Sequence, residues 1–184
     1  MILLSLDLEL NKEGDQTTDI IEIGIVIGDS VTSEILHKQY WFIKIQKPLD
    51  PFIIQLTSIT QEMLDTQGID LLTAYKELQA LQKQYNCFMN PVQWGHDDAE
   101  ELVRQVQILD PTQPNIFGRR IIDVKTFYVT NKIAIDQKPQ GGLAKGLTSY
   151  GLAFKGKKHR AIDDAYNTLV LYFKILELSR KTKY

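Results

Sequence analysis

The first 44 residues alternate between apolar runs and polar breaks, a pattern that predicts β-strands. Candidate strands cover residues 1–10, 20–27 and 34–44. The runs are rich in Ile, Val and aromatic residues, which favour strands, and a polar turn over residues 11–18 separates the first two. This spacing predicts an antiparallel three-strand meander, which Pro48 and Pro51 end.

A helical pattern follows the meander. Ser58 with Gln61 three residues later fits a capping box, and Thr60 is a rival N-cap. Apolar side chains then recur at helical spacing, at Leu71, Tyr75, Leu78 and Leu81. Further helices are predicted over residues 98–109 and 163–179, and a short strand over residues 91–94.

The remaining segments are less regular. Residues 121–135 are ambiguous, although Asp123 could start another helix, and Gly141, Gly142 and Gly146 indicate loops. A strand meander followed by alternating helices and short strands predicts an α/β fold. We expect one domain over residues 1–184, with a mixed sheet of antiparallel meander and short parallel strands, flanked by helices.

Composition and charge narrow the class of protein. Hydrophobic residues make up 43% and charged residues 24% of the chain, as in ordinary globular proteins. The net charge of −2 argues against a sequence-blind DNA-coating protein, although it is compatible with an enzyme that grips nucleic acid locally. Cys87 is the single cysteine, and we find neither a secretory signal nor an apolar run long enough for a membrane span. We therefore expect a cytoplasmic protein that does not contact membranes.

Two acidic residues interrupt the apolar first strand. Asp7 and Glu9 point to the same side of the strand because side chains alternate between its faces. Two carboxylates on one face of an apolar strand repel each other and are costly to bury unpaired. A divalent cation removes both costs, and oxygen ligands suit Mg²⁺ or Mn²⁺. The pair therefore indicates a metal site, with ordinary surface charge or a turn as the alternative.

A second acidic pair lies where a short strand leads into a helix. Asp97 with Glu100 fits a D-x-x-E capping box, so we assign helix capping to Asp97. Asp98 shares a helical row with Leu102 and Leu109, which faces inward. Asp98 is therefore the better metal-ligand candidate.

The same argument separates the two acids of the last helix. Asp164 begins a helical row whose later residues are apolar. Asp163 begins a more polar row and is expected to cap the helix or to face solvent. His159 precedes them in a loop rich in glycine and lysine. A lone histidine is most often an ordinary surface residue, but five residues before an inward acid it is a candidate general base.

These motifs resemble, as an ordered set, the DEDDh 3′–5′ exonucleases. "SLDLEL" at residues 5–10 is similar to their first motif, and "LTSIT" at residues 56–60 to the segment that follows their meander. "WGHDD" at residues 94–98 resembles a W-G-x-x-D form of the second motif, and "HRAIDDA" at residues 159–165 the third. The W-G-x-x-D form is similar to the exoribonuclease branch that processes RNA 3′ ends. The resemblance implies an RNase H-like fold.

The resemblance also implies a two-metal mechanism with Mg²⁺ or Mn²⁺. Asp7 would bridge both ions, Glu9 and Asp164 would complete the site of the ion that carries the attacking water, and Asp98 would hold the second ion. His159 would take the proton from the water. The expected partner is the 3′ end of a single-stranded nucleic acid, with RNA somewhat favoured over DNA, and the expected product is a nucleoside 5′-monophosphate.

Several residues are expected to contact the substrate. Leu10 stands where many members of the family carry a threonine that helps hold the terminal nucleotide. The other candidates are Leu56, Thr57, Ile59 and Lys158, and the basic residues Lys155, Lys157 and Arg160 around His159 are either phosphate contacts or a solvated loop. Three alternatives stay open: an inactive nucleic-acid-binding or scaffold domain of the same fold, a DNA proofreading-type exonuclease, and another metal-dependent phosphoester hydrolase.

Overall fold

The structure, a computed structural model, describes residues 1–13, 16–95, 97–139 and 141–181, with the side chains of residues 12, 13 and 16–18 left out. The strands are β1 (Ile2–Glu13), β2 (Gln16–Asp29), β3 (Ile35–Phe42), β4 (Val92–Gln93) and β5 (Ile122–Asp123). The helices are α1 (Pro51–Thr57), α2 (Gln61–Gln67), α3 (Leu71–Gln84), α4 (Asp98–Leu109), α5 (Val124–Ala134), α6 (Leu143–Ser149) and α7 (Ala161–Lys181).

The strands form one mixed sheet in the order β3-β2-β1-β4-β5. β1, β2 and β3 pair antiparallel, which confirms the predicted meander, and β4 and β5 add to β1 in parallel. The first hairpin is longer than the polar residues suggest, because β1 continues to Glu13 and β2 begins at Gln16. The predicted turn over residues 11–18 is therefore mostly strand, and its residues 14 and 15 lie outside the described part of the chain.

Helices cover both faces of the sheet. Leu4, Leu6 and Leu8 of β1 pack with α3 and α4 on one face. Leu3 of β1 packs on the opposite face, in the cluster that contains the buried residues of α6 and α7. Because side chains alternate along a strand, Asp7 lies on the α7 face together with Leu3.

The link between β3 and α3 corrects two predictions. Pro51 does not simply end the meander: it opens helix α1, with Asp50 as the N-cap that accepts a hydrogen bond from the Phe52 amide. Ser58 ends this helix in a left-handed conformation with φ 60°, so it does not cap α2. The rival residue Thr60 does, since its hydroxyl accepts a hydrogen bond from the Met63 amide.

The segment between α4 and α7 contains two further helices. Asp123 starts α5, as one interpretation of the ambiguous segment predicted, because its carboxylate accepts hydrogen bonds from the amides of Lys125 and Thr126. The prediction of a loop at Gly146 is wrong: Gly146 lies inside α6. A Cβ atom there would lie 2.8 Å from the Trp94 ring, so the glycine allows the helix to pack closely on that ring.

Within the described residues, no helix combines the length and the apolar character that crossing a lipid bilayer requires.

Candidate active site

The first two acids stand on the central strand of the sheet. Asp7 and Glu9 are partly buried on the face that α7 covers. In the antiparallel register with β2, Asp7 pairs with Gly24 and Glu9 pairs with Glu22. The pleat of β1 therefore presents both carboxylates toward the start of α7, as their two-residue spacing predicts.

The start of α7 brings His159 and Asp164 to the same place. Carboxylate or imidazole atoms of Glu9, His159 and Asp164 lie within 4.8 Å of one another. The His159 amide donates a hydrogen bond of 3.1 Å to Asp164 Oδ2. His159 is exposed and has φ 60°, a left-handed backbone conformation that is uncommon for a non-glycine residue.

Asp98 completes the acidic set from the opposite side. It is the first residue of α4 and is partly buried. Its negative charge is near enough to contribute to raising the pKa values of Asp7 and Glu9. The four acids and His159 thus come from β1, α4 and the start of α7, although they are distant along the chain.

Burial and mutual repulsion raise the pKa values of three of these carboxyl groups. Burial, followed by the charges of Asp98 and Asp164, holds the pKa of Asp7 well above its usual range. Burial, with repulsion from Asp164, raises the pKa of Glu9 to about 8. Burial also raises the pKa of Asp164 to about 6, against the hydrogen bond from the His159 amide, which lowers it. Such a cluster favours binding of positive charge.

The neighbouring acids occupy different positions. Asp97 is exposed at the N-cap position of α4, but its side chain makes no capping hydrogen bond, so the predicted capping box is wrong. Its backbone is helical, with φ −97° and ψ −21°, rather than extended as in a usual N-cap. Asp163 is partly buried in the first turn of α7 and accepts a hydrogen bond of 2.8 Å from the Lys157 amide, so it binds the preceding loop and does not cap α7 itself.

The predicted substrate-binding residues differ in their exposure. Leu10 is partly buried against the core cluster, and Leu56 is partly buried at the end of α1. Thr57 and Ile59 are buried, and the Thr57 hydroxyl donates to the Ile53 carbonyl and accepts from the Ile59 amide. The side chains of Thr57 and Ile59 are therefore covered, and the contact of this segment with substrate stays a prediction.

The basic loop before α7 also divides into two kinds of residue. Lys155, Lys157 and Lys158 are exposed, and the charge of Lys158 lowers the pKa of Asp164. Arg160 is instead held in an ion pair with Glu22, so the prediction of a phosphate contact does not suit it. Its guanidinium also lies over the Phe42 ring, with 5.2 Å between the guanidinium carbon and the ring centroid.

Glu22 is the site residue that the sequence interpretation missed. Its side chain is 0% exposed beside Glu9, and it accepts hydrogen bonds from Arg160 and from the Ala161 amide. A charged residue within the run Ile-Ile-Glu-Ile-Gly-Ile was the available signal, because charged residues are almost never fully buried unless they are paired.

The donor set fits a divalent cation. Glu9, His159 and Asp164 already offer ligand atoms at mutual distances that one ion can span. The raised pKa values of Glu9 and Asp164 express an electrostatic cost that a cation would relieve. Carboxylate oxygens are the ligands that Mg²⁺ and Mn²⁺ prefer.

Comparison with known proteins agrees with this geometry. The RNase T exonuclease family model matches residues 4–172. The chain is 26% identical over 183 residues to ERI1 exoribonuclease 2 of Mus musculus, a match that covers 86% of this chain and 25% of that protein. The chain therefore spans about a quarter of the length of that relative.

Two solved structures share the fold. The nuclease domain of 3′hExo, a DEDDh family member bound to rAMP, superposes with a TM-score of 0.80 at 21% identity and covers 96% of this chain and 92% of its own. E. coli Exonuclease I, in complex with a dT13 oligonucleotide, superposes with a TM-score of 0.72 at 13% identity and covers 98% of this chain and 42% of its own. The chain belongs to the RNase T family of DEDDh 3′–5′ exonucleases, which are phosphodiester hydrolases with an RNase H-like fold.

Proposed function

We propose that this protein removes nucleoside 5′-monophosphates from the 3′ ends of single-stranded nucleic acid, with RNA favoured over DNA. The observation that carries the proposal is the convergence of Glu9, His159 and Asp164, whose ligand atoms lie within 4.8 Å of one another. These residues are separated by most of the chain, and a shared pocket of acids with one histidine suits metal-assisted phosphodiester hydrolysis.

Asp7, Glu9, Asp98 and Asp164 would hold two Mg²⁺ or Mn²⁺ ions. When bound, the ions stabilise the charge that develops on the attacking and leaving oxygens. Glu9 and Asp164 would share one ion, because their carboxylate oxygens lie within 4.8 Å of each other. Asp7 would bridge the two ions, and the charges of both Asp98 and Asp164 contribute to raising its pKa.

His159 is the general base in this mechanism. An imidazole nitrogen takes a proton from the attacking water, whose oxygen forms a bond to phosphorus while the bond from phosphorus to the 3′ oxygen of the preceding nucleotide breaks. The released 3′ oxygen takes a proton from solvent and becomes the new 3′ hydroxyl. The exposed position of His159 lets it return that proton to solvent. The hydrogen bond from the His159 amide to Asp164 ties the base to a metal-binding acid, so both are oriented by one contact.

The preference for RNA rests on two similarities. The Trp94-Gly95 motif resembles the exoribonuclease branch, and the relative at 26% identity is named an exoribonuclease. The complex of E. coli Exonuclease I with a dT13 oligonucleotide makes DNA the second candidate substrate. Lys158 and its exposed lysine neighbours are placed to meet backbone phosphates, which both nucleic acids share.

A degradation assay on matched substrates tests the proposal. RNA and DNA oligomers of one sequence, single- and double-stranded and labelled at the 3′ end, are incubated with Mg²⁺, with Mn²⁺ or with EDTA. We expect a labelled nucleoside 5′-monophosphate as the first product, fastest from single-stranded RNA and absent with EDTA. Faster release from DNA would support a proofreading-type enzyme. Binding of every oligomer without cleavage would indicate an inactive binding domain, and hydrolysis of a small chromogenic diester alone would indicate a different phosphoesterase.

A further inference from the structure

A buried ion pair joins the middle of the sheet to the start of α7. The Arg160 Nη2 atom lies 2.8 Å from Glu22 Oε1, and the Arg160 Nε atom lies 3.1 Å from Glu22 Oε2. The Ala161 amide donates a further hydrogen bond of 2.9 Å to Glu22 Oε2. One carboxylate of β2 therefore binds a side chain and a backbone amide at the first turn of α7.

The same end of α7 also contacts β2 through backbone alone. A Cβ atom on Gly24 would lie 2.1 Å from the carbonyl carbon of Ala161 and 2.2 Å from the amide nitrogen of Ile162. Any side chain at this position would push the helix off the sheet. Gly24 thus sets how closely α7 approaches β2, while Glu22 sets its direction at that point.

These two contacts are in register with the acids of the first motif. Glu22 is the Cα partner of Glu9, and Gly24 is the Cα partner of Asp7. His159 and Asp164 lie on either side of the docked residues Arg160 and Ala161 along the chain. The register of β1 with β2 therefore affects the positions of His159 and Asp164, which approach the site from the start of α7.

Stability alone does not explain an acid at this position. Glu22 is buried as the cross-strand partner of Glu9, so its negative charge adds to the repulsion within the site. Buried ion pairs are in general weak contributors to stability compared with apolar residues of similar volume. What the pair supplies is a directional contact, because a guanidinium binds a carboxylate in one preferred planar geometry.

We propose that Glu22 is a positioning residue, which with Arg160 docks the start of α7 on β2 so that His159 and Asp164 face Glu9. The inference rests on the proposed function, since His159 and Asp164 act in that chemistry. Glu22 itself does not touch the substrate in this assignment. Its loss misplaces the base and one metal-binding acid while the substrate-binding surface is kept.

The principal test compares Glu22→Gln with a matched change at the opposite end of the same helix. Arg180 Nη2 donates a hydrogen bond of 2.7 Å to the Ser30 carbonyl, so Arg180→Met removes an anchor of α7 far from its start. For Glu22→Gln we expect kcat to fall about 10²-fold with KM changed less than about threefold, as for a misplaced catalytic group. For Arg180→Met we expect Tm to decrease about as much as it does in Glu22→Gln, with kcat unchanged. Equal effects of the two variants on kcat would overturn the inference.

Arg160→Lys provides the conservative variant and guards against misfolding of Glu22→Gln. Lysine keeps the charge but offers one donor group in place of the planar fork, so we expect a kcat between those of the wild type and Glu22→Gln. A wild-type kcat in Arg160→Lys would show that the bidentate geometry is not needed and would contradict the proposal.

Hydrogen exchange gives a readout that does not depend on activity. In Glu22→Gln we expect faster exchange of the amides of residues 159–164, Ala161 above all, and unchanged exchange in β1 and β2. Unchanged exchange at Ala161 would overturn the docking role even if activity fell. An inactive wild type would refute the proposed function instead, and the exchange result would still decide whether Glu22 docks the helix.

Discussion

The two helices that carry acids into the site are attached in different ways. The start of α7 is bound to β2 through Glu22. Asp163 and Asp164 in its first turn also hold the preceding loop, because they accept hydrogen bonds from the amides of Lys157 and His159. The start of α4 has Asp97 at its N-cap position without a side-chain cap. There the Gly95 amide donates a hydrogen bond of 3.1 Å to Asp123, the residue that also caps α5.

We infer that the starts of α4 and α7 have different roles in the site. Both Asp98 and Asp164 lie in a first helical turn, where the helix dipole favours negative charge. On the α7 side, the Asp164 carboxylate would bind a metal ion and also accepts the hydrogen bond from the amide of His159, the proposed base. On the α4 side, Asp98 stands at the helix start, and its charge contributes to raising the pKa of Asp7. Disturbing the α7 side should therefore impair more than metal binding.

Asp7→Asn removes the acid that lies between the two sides, and we expect it to abolish cleavage. An amide is a poor ligand for Mg²⁺ and cannot bridge two ions. In the absence of metal the fold should persist with a higher Tm, because a repelled buried carboxylate is lost. Cleavage of labelled RNA and circular dichroism measure the two effects. Retained cleavage would refute the two-metal role of Asp7.

His159→Ala tests the α7 side alone. Removal of a general base is expected to lower kcat by about 10²–10⁴-fold while Mn²⁺ still binds, because the carboxylates are kept. Single-turnover cleavage and isothermal titration with Mn²⁺ provide the measurements. A variant as fast as the wild type would exclude His159 as the base, and a loss of Mn²⁺ affinity would make it a metal ligand.

Four Asp→Asn variants compare the two helix starts directly. Asp164→Asn and Asp98→Asn should both lose most activity. Asp164→Asn should also speed hydrogen exchange of the His159 amide, because this amide donates a hydrogen bond to the Asp164 carboxylate in the wild type. Asp163→Asn and Asp97→Asn are the adjacent controls. Asp163→Asn should cost at most about 1 kcal/mol of stability, because the asparagine oxygen can still accept the hydrogen bond from the Lys157 amide, and cleavage should change little. The reverse ranking would overturn the assignment of inward and outward acids.

The pH dependence of stability is expected to be the smallest effect. The pKa of Glu9 is raised from 4.5 to about 8 and that of Asp164 from 3.8 to about 6. A raised pKa means that the group binds its proton more tightly in the folded protein than in the unfolded chain. The contribution of these two groups to stability is therefore full below about pH 4 and is lost as the pH rises toward 8. In EDTA we therefore expect Tm to decrease by several degrees over this window, and Mn²⁺ to restore it at pH 8.

The same titration separates the two sides of the site. Asp164→Asn should remove only part of the decrease between pH 4 and pH 6, because the Glu9 carboxyl group, whose pKa is about 8, contributes there as well. A metal-free wild type whose Tm rises steadily from pH 4 to pH 8 would contradict the electrostatic description of the site.

The sequence predicts an element correctly where the signal for that element lies within its own residues. The helix over residues 98–109 is observed with those bounds, since its apolar row is contained within its own sequence. Helix α1 was missed because Pro51 was interpreted as the end of a strand rather than the first residue of a helix. Gly146 was interpreted as a loop residue because the ring of Trp94, distant along the chain, is what gives a glycine a role inside a helix.

For the site, sequence order and alternation determined which acids are candidates, because strand and helix periodicity assign each side chain to a face. Tertiary structure alone decided that Thr57 and Ile59 are covered, and that Arg160 binds an acid of β2 rather than a phosphate. The physical reason is that burial and ion pairing depend on neighbours from other segments. Glu22 is a single acid in an apolar run by sequence, and only the packing of α7 against β2 makes it the support of the site.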